Sequence, residues 1–377
     1  MSSDSEIKKG LVGVVADETK VSEVMPDINS LTYRGYAVQD LAENCSFEEV
    51  ARLIVFGELP NKKDLESFEQ LERYNRNVSE KIKKIINEYP KNSHPMDTTR
   101  TSISLLALED PEIAENSEKA NYNKFIRLFA KIPTVVAANF RCRKGLEIIN
   151  PDKTLNFSEN FFHMCFGKVP SKEVVKAFDV SMTLYAEHSF NASTFTARLI
   201  TSSLSDFHSA VVGGVSSLKG PLHGGANEAV MEMFNDVKNE NDAEKYILNK
   251  IKNKELIIGF GHRIYKKGDS RVPTMTKYYL KTAEYYKNTR LPKISKIFSD
   301  TMIKEKNIFP NLDFPSGPTY FLMGFDIDFF TPIFVISRIT GWSAHIIEQL
   351  KDNRLIRPLS KYNGNSHREV KKLEERH

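Results

Sequence analysis

The sequence predicts an all-α protein in which short turns join one helix to the next. Apolar side chains recur at helical intervals along most of the chain; for example, Val78, Ile82 and Ile86 share one face before Pro90 ends the pattern. Only residues 11–21 are rich in β-branched side chains, and there we expect a strand or hairpin. Successive helices with so little strand are typical of the all-α class.

Signals for helix ends divide this pattern into elements. Ser46 and Glu49 form a capping box, and Gly57 is placed to end the helix that follows. Pro133 should start or kink a helix, because proline lacks the amide donor of a helix interior. Residues 144–157 contain glycine, asparagine and proline and should form a loop. The remaining helices are predicted at residues 78–89, 97–108, 119–132, 134–143, 159–166, 172–189, 226–237 and 321–339.

Composition and charge exclude several classes of protein. The chain has 377 residues, a length that suits two or three domains, and a net charge of +4, which is too small to indicate a nucleic-acid binder. No apolar run approaches the ~20 residues of a membrane helix, and residues 1–6 lack the basic head and apolar body of a secretory signal. The three scattered cysteines, Cys45, Cys142 and Cys165, suit a reducing compartment. We therefore expect a cytoplasmic protein without membrane or nucleic-acid partners.

The amino-acid composition of the chain changes after residue 223. Residues 238–255 are rich in Lys, Asn and Glu, and apolar helix returns only beyond Pro318. Because glycine frees the backbone and proline interrupts it, we place hinges near Gly224 and near Pro318. The predicted domains are a large helical one, residues 1–223 with 319–377, and a smaller one, residues 224–318.

His223 lies in the stretch G-P-L-H-G-G-A-N, residues 220–227, just before a predicted helix. Pro221 stiffens the approach and Gly224 frees the backbone after the histidine, so a tight turn is expected. The free N–H groups and the dipole of a helix N-terminus disfavour a positive charge, so the imidazole should stay neutral. A neutral imidazole can donate one hydrogen bond to an oxygen that is becoming negative; the alternative is a histidine that only caps the turn.

Further acid–base groups and arginines are concentrated in the last third of the chain. His262 and Asp313 lie in turn-rich stretches, whereas Arg338 lies on a strongly apolar helix. Burying the charge of an arginine on an apolar helix costs free energy unless the guanidinium binds an anion. Arg338, Arg271 and Arg357 together indicate a site for a di- or tricarboxylate, because each guanidinium fork fits one carboxylate. The alternative for each arginine alone is a structural ion pair.

Two other kinds of site are poorly supported. Gly259 and Gly261 follow an apolar run, but position 264 is Ile, so the third glycine of a dinucleotide-binding turn is missing. His345 and Glu348 have a helical spacing that suits a metal, but no second motif accompanies them. We therefore predict no metal site, and expect His345 to satisfy a buried hydrogen bond.

Several long motifs, in order along nearly the whole chain, resemble citrate synthase in its short archaeal and bacterial form. They are Y-A-E-H-S-F-N-A-S-T-F-T-A-R at 185–198, G-P-L-H-G-G-A-N at 220–227, G-F-G-H-R-I-Y-K-K-G-D-S-R at 259–271, P-N-L-D-F-P-S-G at 310–317 and F-T-P-I-F-V-I-S-R-I-T-G-W-S-A-H-I-I-E-Q at 330–349. The resemblance implies an almost entirely helical fold whose two domains close over the substrates, with the active site in the cleft between them. It also implies the condensation of acetyl-CoA with oxaloacetate and water to give citrate and CoA.

The resemblance assigns roles to the acid–base residues. By its motif, His223 hydrogen-bonds the thioester oxygen while acetyl-CoA enolises, and Asp313 removes the methyl proton. His262 polarises and protonates the oxaloacetate carbonyl, and His188 contacts the oxaloacetate. The reaction that this implies needs no cofactor besides the CoA thioester itself.

The same resemblance assigns the basic residues. Arg271 and Arg338 match arginines that grip the oxaloacetate carboxylates, and Arg357 matches one that comes from the other subunit, which implies a homodimer. CoA is a polyanion and needs cations of its own, although a solvated basic loop is the alternative for each candidate. The candidates for its phosphates are Lys266 and Lys267 and, more weakly, Arg263 and Lys306.

Two departures and two alternative functions accompany this resemblance. Ser270 stands where the family usually has proline, and Pro315 stands where an aromatic or small residue is common; neither change removes an acid–base group.

One alternative function is that of 2-methylcitrate synthase, which uses propionyl-CoA with the same machinery, since one methyl group is worth only about 1–3 kcal/mol of discrimination. The other is a catalytically silent helical binding protein, which retention of the acid–base residues disfavours.

Overall fold

The computed structural model describes residues 7–262, 265 and 268–376, and sixteen α-helices lie in that part of the chain. The first eight are α1 (Val38–Asn44), α2 (Phe47–Phe56), α3 (Lys62–Asn75), α4 (Glu80–Glu88), α5 (Pro95–Leu108), α6 (Glu118–Arg143), α7 (Phe157–Phe166) and α8 (Lys172–Tyr185). The other eight are α9 (Ala192–Ser202), α10 (Phe207–Leu218), α11 (Ala226–Asp236), α12 (Ala243–Lys252), α13 (Val272–Tyr285), α14 (Arg290–Lys306), α15 (Asp313–Leu322) and α16 (Phe330–Lys351). The all-α prediction is confirmed. Among the described helices, none is both long and apolar enough to cross a membrane.

A small antiparallel sheet near the start of the chain is the main departure from helix. Its strands, in spatial order, are β1 (Ser22–Met25), β2 (Ser30–Tyr33) and β3 (Tyr36–Ala37). The strand predicted at residues 11–21 is wrong, because this stretch has irregular backbone after a short 3-10 turn at Lys9–Leu11. Val12 and Val15 are exposed there. With no buried face to fix a register, β-branched composition alone does not make a strand.

The ends of α2 follow the signals in the sequence. The Ser46 hydroxyl accepts the Glu49 amide at 3.2 Å, and the Glu49 carboxylate accepts the Ser46 amide at 2.7 Å. Gly57 ends the helix with a left-handed φ of 99°, which glycine adopts without the steric cost of a Cβ atom. The predicted capping box and helix stop are therefore confirmed.

A proline does not divide α6. The helix continues for 26 residues through Pro133, so the prediction of separate helices at 119–132 and 134–143 is wrong. The chain around the proline is buried, and the Thr134 hydroxyl donates to the Arg76 carbonyl at 2.7 Å. Packing on all sides of the helix therefore outweighs the amide hydrogen bond that proline removes.

Two other predicted helices have different bounds in the structure: α8 ends early, and the helix predicted at 321–339 is divided in two, with its second part continuing to Lys351. α8 stops at Tyr185 and does not continue to residue 189, where Ser189 has a left-handed φ of 50°. The apolar stretch 321–339 belongs to two helices, because Gly324 turns the chain with a φ of 93° after α15 and before α16. The early end of α8 leaves the residues that follow it in an irregular segment beside a cleft.

The helices pack around α16, which is buried on nearly every side. It contacts α2, α6, α8, α9 and α10, and its Trp342 side chain is fully buried. α15 packs against α11 and α13, α12 packs on α14, and α13 also packs on α8. The boundary predicted near Pro318 falls inside α15. The division into two domains stays a prediction.

Candidate active site

A cleft of about 920 Å³ is lined by the end of α8, the turn before α11, and the start of α15. Residues 10–14, 188–192 and 256–262 also line it, together with Phe334 and Arg338 of α16. Six of the predicted site residues line it, although they come from distant parts of the chain. They are His188, His223, His262, Arg271, Asp313 and Arg338.

His223 occupies the tight turn between α10 and α11, where its amide donates to the Gly220 carbonyl at 2.9 Å. Its Nε2 atom accepts the Ser193 amide at 3.3 Å and lies 2.8 Å from the Ser193 hydroxyl. Since Nε2 is an acceptor, the ring proton of a neutral His223 lies on Nδ1. Burial, with a smaller contribution from the Arg338 charge, lowers the pKa of His223 to about 3. The imidazole is therefore neutral at physiological pH, mainly through burial and not through the helix N-terminus on which the prediction rested, and its role as a donor stays a prediction.

Asp313 is the first residue of α15, and its carboxylate has a specific partner. The Tyr185 hydroxyl donates to Oδ1 of Asp313 at 2.7 Å, and the Asp313 amide donates to the Asn311 side chain at 3.1 Å. Burial raises the pKa of the Asp313 carboxyl to about 6, while the Tyr185 hydrogen bond and the charge of Arg271 act in the opposite direction. A carboxylate with such a pKa is a stronger base than an exposed aspartate and is still ionised at neutral pH.

His188 and His262 face each other, with ring centroids 5.1 Å apart. The Tyr265 amide donates to Nδ1 of His262 at 3.1 Å, so a neutral His262 carries its proton on Nε2. His188 is buried, and burial together with the Arg271 charge holds its pKa well below the ordinary range. Among the described residues, Nε2 of His188 has no hydrogen-bond partner. A ligand oxygen would complete its hydrogen bonding.

The two arginines of the cleft differ in their partners. Arg271 precedes α13 and forms a bidentate pair with Asp269, at 2.7 and 2.9 Å, which raises the pKa of its guanidinium. Arg338 is buried in α16, where its Nε donates to the Tyr185 carbonyl at 2.7 Å and its guanidinium lies 4.7 Å from the Phe334 ring centroid. No described residue accepts a hydrogen bond from Nη1 of Arg338, and burial lowers its pKa to about 10. Arg338 is thus a buried cation to which no described carboxylate is hydrogen-bonded, although the charge of Glu187 favours its ionised form.

Sequence reasoning missed the partners of these groups. Tyr185, Asn311 and Ser193 lie in the recognised motifs, yet the sequence gives no sign of which atoms they contact. Tyr185 and its carboxylate partner are 128 positions apart. Asp269 was detectable, because it lies two residues before Arg271 and has the opposite charge.

Five predicted site residues are not placed in this cleft. Arg357 is exposed in the irregular stretch after α16, and Lys306 is exposed in the last turn of α14. Neither of them lines the cleft. Arg263, Lys266 and Lys267 lie outside the described residues. The roles assigned to these five stay predictions.

Other residues singled out in the sequence lie next to the site. Nε2 of His345 lies 3.0 Å from the Glu187 carboxylate, so the predicted buried hydrogen bond is confirmed. Ser270 replaces the usual proline and uses its hydroxyl to contact the Tyr265 phenol at 3.0 Å. Pro315 lies in the first turn of α15, where a helix does not need its amide donor.

Comparison with known proteins decides the family. A family model described as "Citrate synthase, C-terminal domain" matches residues 10–359. The chain belongs to the citrate synthase family. It is 52% identical over 363 residues to a 2-methylcitrate synthase of Mycobacterium tuberculosis, a match that covers 96% of this chain and 92% of the relative. It is 50% identical over 369 residues to a citrate synthase of Mycolicibacterium smegmatis, covering 98% of each.

A solved structure of the family has the same fold. It is the ternary complex of carboxymethyl coenzyme A and oxaloacetate with citrate synthase from the thermophilic archaeon Thermoplasma acidophilum. The match has a TM-score of 0.91 at 29% identity and covers 98% of this chain and 100% of that chain. As a member of the citrate synthase family, the chain is a condensing acyltransferase, and the alternative of a silent binding protein is set aside.

Proposed function

We propose that this enzyme condenses acetyl-CoA with oxaloacetate and water to give citrate and CoA. One observation carries the proposal: a carboxylate with a raised pKa, Asp313, and a neutral imidazole donor, His223, line the same cleft as Arg338, whose Nη1 has no acceptor among the described residues. The first two groups suit the removal of a proton beside a thioester, and the third suits a carboxylate substrate. The ternary complex of the Thermoplasma relative supports the same pair of ligands.

The first step is enolisation of the thioester. Asp313 takes a proton from the methyl carbon of the acyl group and becomes neutral, and the electron pair of the C–H bond moves toward the thioester oxygen. The N–H at Nδ1 of His223 donates a hydrogen bond to that oxygen as its negative charge develops. Because the imidazole is already neutral, it contributes a hydrogen bond without first losing a proton.

The second step joins the two substrates. Arg271, Arg338 and His188 hold oxaloacetate, and the enolate carbon attacks its keto carbon to form the new carbon–carbon bond. The keto oxygen becomes an alkoxide and takes the proton from Nε2 of His262, and the proton that Asp313 removed from the acyl carbon returns the imidazole to its neutral form. The product of this step is citryl-CoA. Water then cleaves its thioester bond, which gives citrate and the free thiol of CoA.

Propionyl-CoA is the second candidate donor, and its product would be 2-methylcitrate. The observation in its favour is the 52% identity to the M. tuberculosis 2-methylcitrate synthase, next to 50% identity to the M. smegmatis citrate synthase. Both reactions use the same base, the same neutral imidazole and the same carboxylate site. An additional methyl group in the acyl pocket changes the rate by only about 10–200-fold.

We also propose a cytoplasmic homodimer in which Arg357 completes the site of the partner subunit. Arg357 is exposed and does not line the cleft of its own chain, as a residue used by a neighbour would be. All three cysteines are free, which suits a reducing compartment. The proposed cations for the CoA phosphates are Lys266, Lys267, Arg263 and Lys306.

Release of CoA thiol tests the proposal directly. The purified protein is mixed with oxaloacetate and either acetyl-CoA or propionyl-CoA, and the thiol is measured with a chromogenic reagent. We expect release that requires oxaloacetate and is faster with acetyl-CoA. A higher kcat/KM with propionyl-CoA would identify a 2-methylcitrate synthase, and no release with either thioester would contradict the proposed reaction.

A further inference from the structure

Tyr185 stands between two groups of the proposed reaction. Its hydroxyl donates to Oδ1 of Asp313 at 2.7 Å, and its main-chain carbonyl accepts Nε of Arg338 at 2.7 Å. Burial and the neighbouring negative charge of Asp313 raise the pKa of the phenol well above its ordinary value. The hydroxyl therefore keeps its proton and acts as the donor in this pair.

The position of the phenol is fixed by packing. Tyr185 is only 1% exposed, and its ring lies against Phe334, with centroids 4.2 Å apart. Because it is the last residue of α8, its backbone is also held by the helix. A donor that is rigid in this way can impose an orientation on the carboxylate that it contacts.

We propose that Tyr185 is a positioning residue for the general base: its hydroxyl occupies one oxygen of Asp313, leaves Oδ2 to take the substrate proton, and favours the ionised carboxylate. This inference rests on the proposed function, in which Asp313 is the base. Tyr185 does not exchange a proton with the substrate and acts only through Asp313.

Several charged groups besides the Tyr185 phenol affect the ionisation of Asp313. Arg271 on the α13 side and Arg338 on α16 favour the ionised form, whereas Asp269 opposes it and burial opposes it most strongly. The three histidines of the cleft face the same space, and two of them, His188 and His223, are held neutral by burial. Within the described part of the chain, Tyr185 is the one side chain that donates a hydrogen bond to the carboxylate.

The direction of the expected change follows from these contacts. A hydrogen bond to the ionised form lowers a carboxyl pKa, so loss of the phenol hydroxyl should raise the pKa of Asp313 further above about 6. Protonated Asp313 cannot act as a base. Activity should therefore disappear at a higher pH when the solution is acidified.

The test is the pH profile of CoA release by Tyr185→Phe. We expect the acidic limb of kcat to move upward by about one pH unit, so that turnover falls about fivefold at pH 6 and about tenfold at pH 5, and recovers at higher pH. The oxaloacetate KM should change little, because the contact to Arg338 is made by the main chain, which the substitution keeps.

Tyr320→Phe is the matched control. Tyr320 is also fully buried and lies on α15, but its hydroxyl contacts the Ser181 hydroxyl at 3.0 Å and not the carboxylate. Its pH profile should match that of the wild type. Melting temperatures of both variants show whether either has lost its fold, and the exchange of acyl-CoA methyl protons with solvent reports the base step apart from condensation.

Three outcomes bear on the inference. An acidic limb that does not move in a folded Tyr185→Phe enzyme, or one that moves equally in Tyr320→Phe, would overturn the role of Tyr185. A uniform loss of kcat at every pH, with an acidic limb that stays in place, would show that the hydroxyl does not favour the ionised carboxylate and would likewise overturn the inference. A wild-type protein that releases no CoA would instead overturn the proposed function, so the two failures are distinguishable.

Discussion

Replacement of Asp313 by Asn should reduce turnover and increase stability at neutral pH. The amide keeps the shape and can still accept the Tyr185 hydroxyl, but it cannot take a proton from the acyl carbon. Loss of a general base costs ~10²–10⁴ in rate. Oxaloacetate binding should change much less, because the residues proposed to bind it remain.

The stability effect follows from the raised pKa of the same carboxyl, from 3.8 to about 6. A carboxyl whose pKa is raised on folding stabilises the protein in acid, and that stability is lost as the pH rises through the pKa of the folded state. The difference of about 2 pH units corresponds to at most about 3 kcal/mol at 1.36 kcal/mol per unit. Asn carries no charge, so Asp313→Asn should gain up to this amount over wild type between pH 4 and pH 8.

Two measurements check these expectations on the same preparations. Steady-state CoA release gives the turnover, and urea unfolding at pH 4, 6 and 8 gives the free energy of unfolding. Turnover within tenfold of wild type would refute the role of Asp313 as the base. A stability difference that does not grow from pH 4 to pH 8 would refute the argument that burial raises its pKa.

Two further predictions concern the arginines. Arg271→Leu should raise the oxaloacetate KM and also lower the free energy of unfolding by about 3–5 kcal/mol, since it leaves the buried carboxylate of Asp269 unpaired. Arg271→Lys should recover part of the stability but should not restore the KM. An effect on the acyl-CoA KM alone would contradict the assignment of Arg271 to oxaloacetate. Mixing Asp313→Asn with Arg357→Ala under subunit exchange should restore roughly a quarter of wild-type activity, because about half of the dimers are then mixed and one of their two sites is intact. If mass spectrometry verifies exchange and no activity returns, Arg357 acts within its own subunit.

The sequence predicted the class of fold because helix periodicity and capping are local properties. Ser46, Glu49 and Gly57 lie within twelve positions, and the structure shows them acting as predicted. The errors occur where distant packing decides the outcome. Pro133 remains inside a helix because the surrounding chain is buried, and residues 11–18 are exposed and have no partner strand in the described chain.

In the candidate site, too, local motifs could be predicted from the sequence and contacts between distant residues could not. Its six cleft residues lie in recognisable motifs, so their identities could be predicted before their positions were known. The contact between Tyr185 and Asp313 could not, because it joins the end of α8 to the start of α15. The spacing of Asp269 and Arg271 suggested their pairing, but only the fold shows that Nη1 of Arg338 has no acceptor among the described residues.

The most direct test of the proposed reaction is to identify its product. The enzyme is incubated with oxaloacetate and acetyl-CoA labelled with ¹³C in the acetyl group, and the products are measured by mass spectrometry. We expect labelled citrate and free CoA in equal amounts from the wild type, and at least about a hundredfold less of both from Asp313→Asn. If the wild type releases CoA without forming labelled citrate, the cleft hydrolyses thioesters and does not join the two substrates.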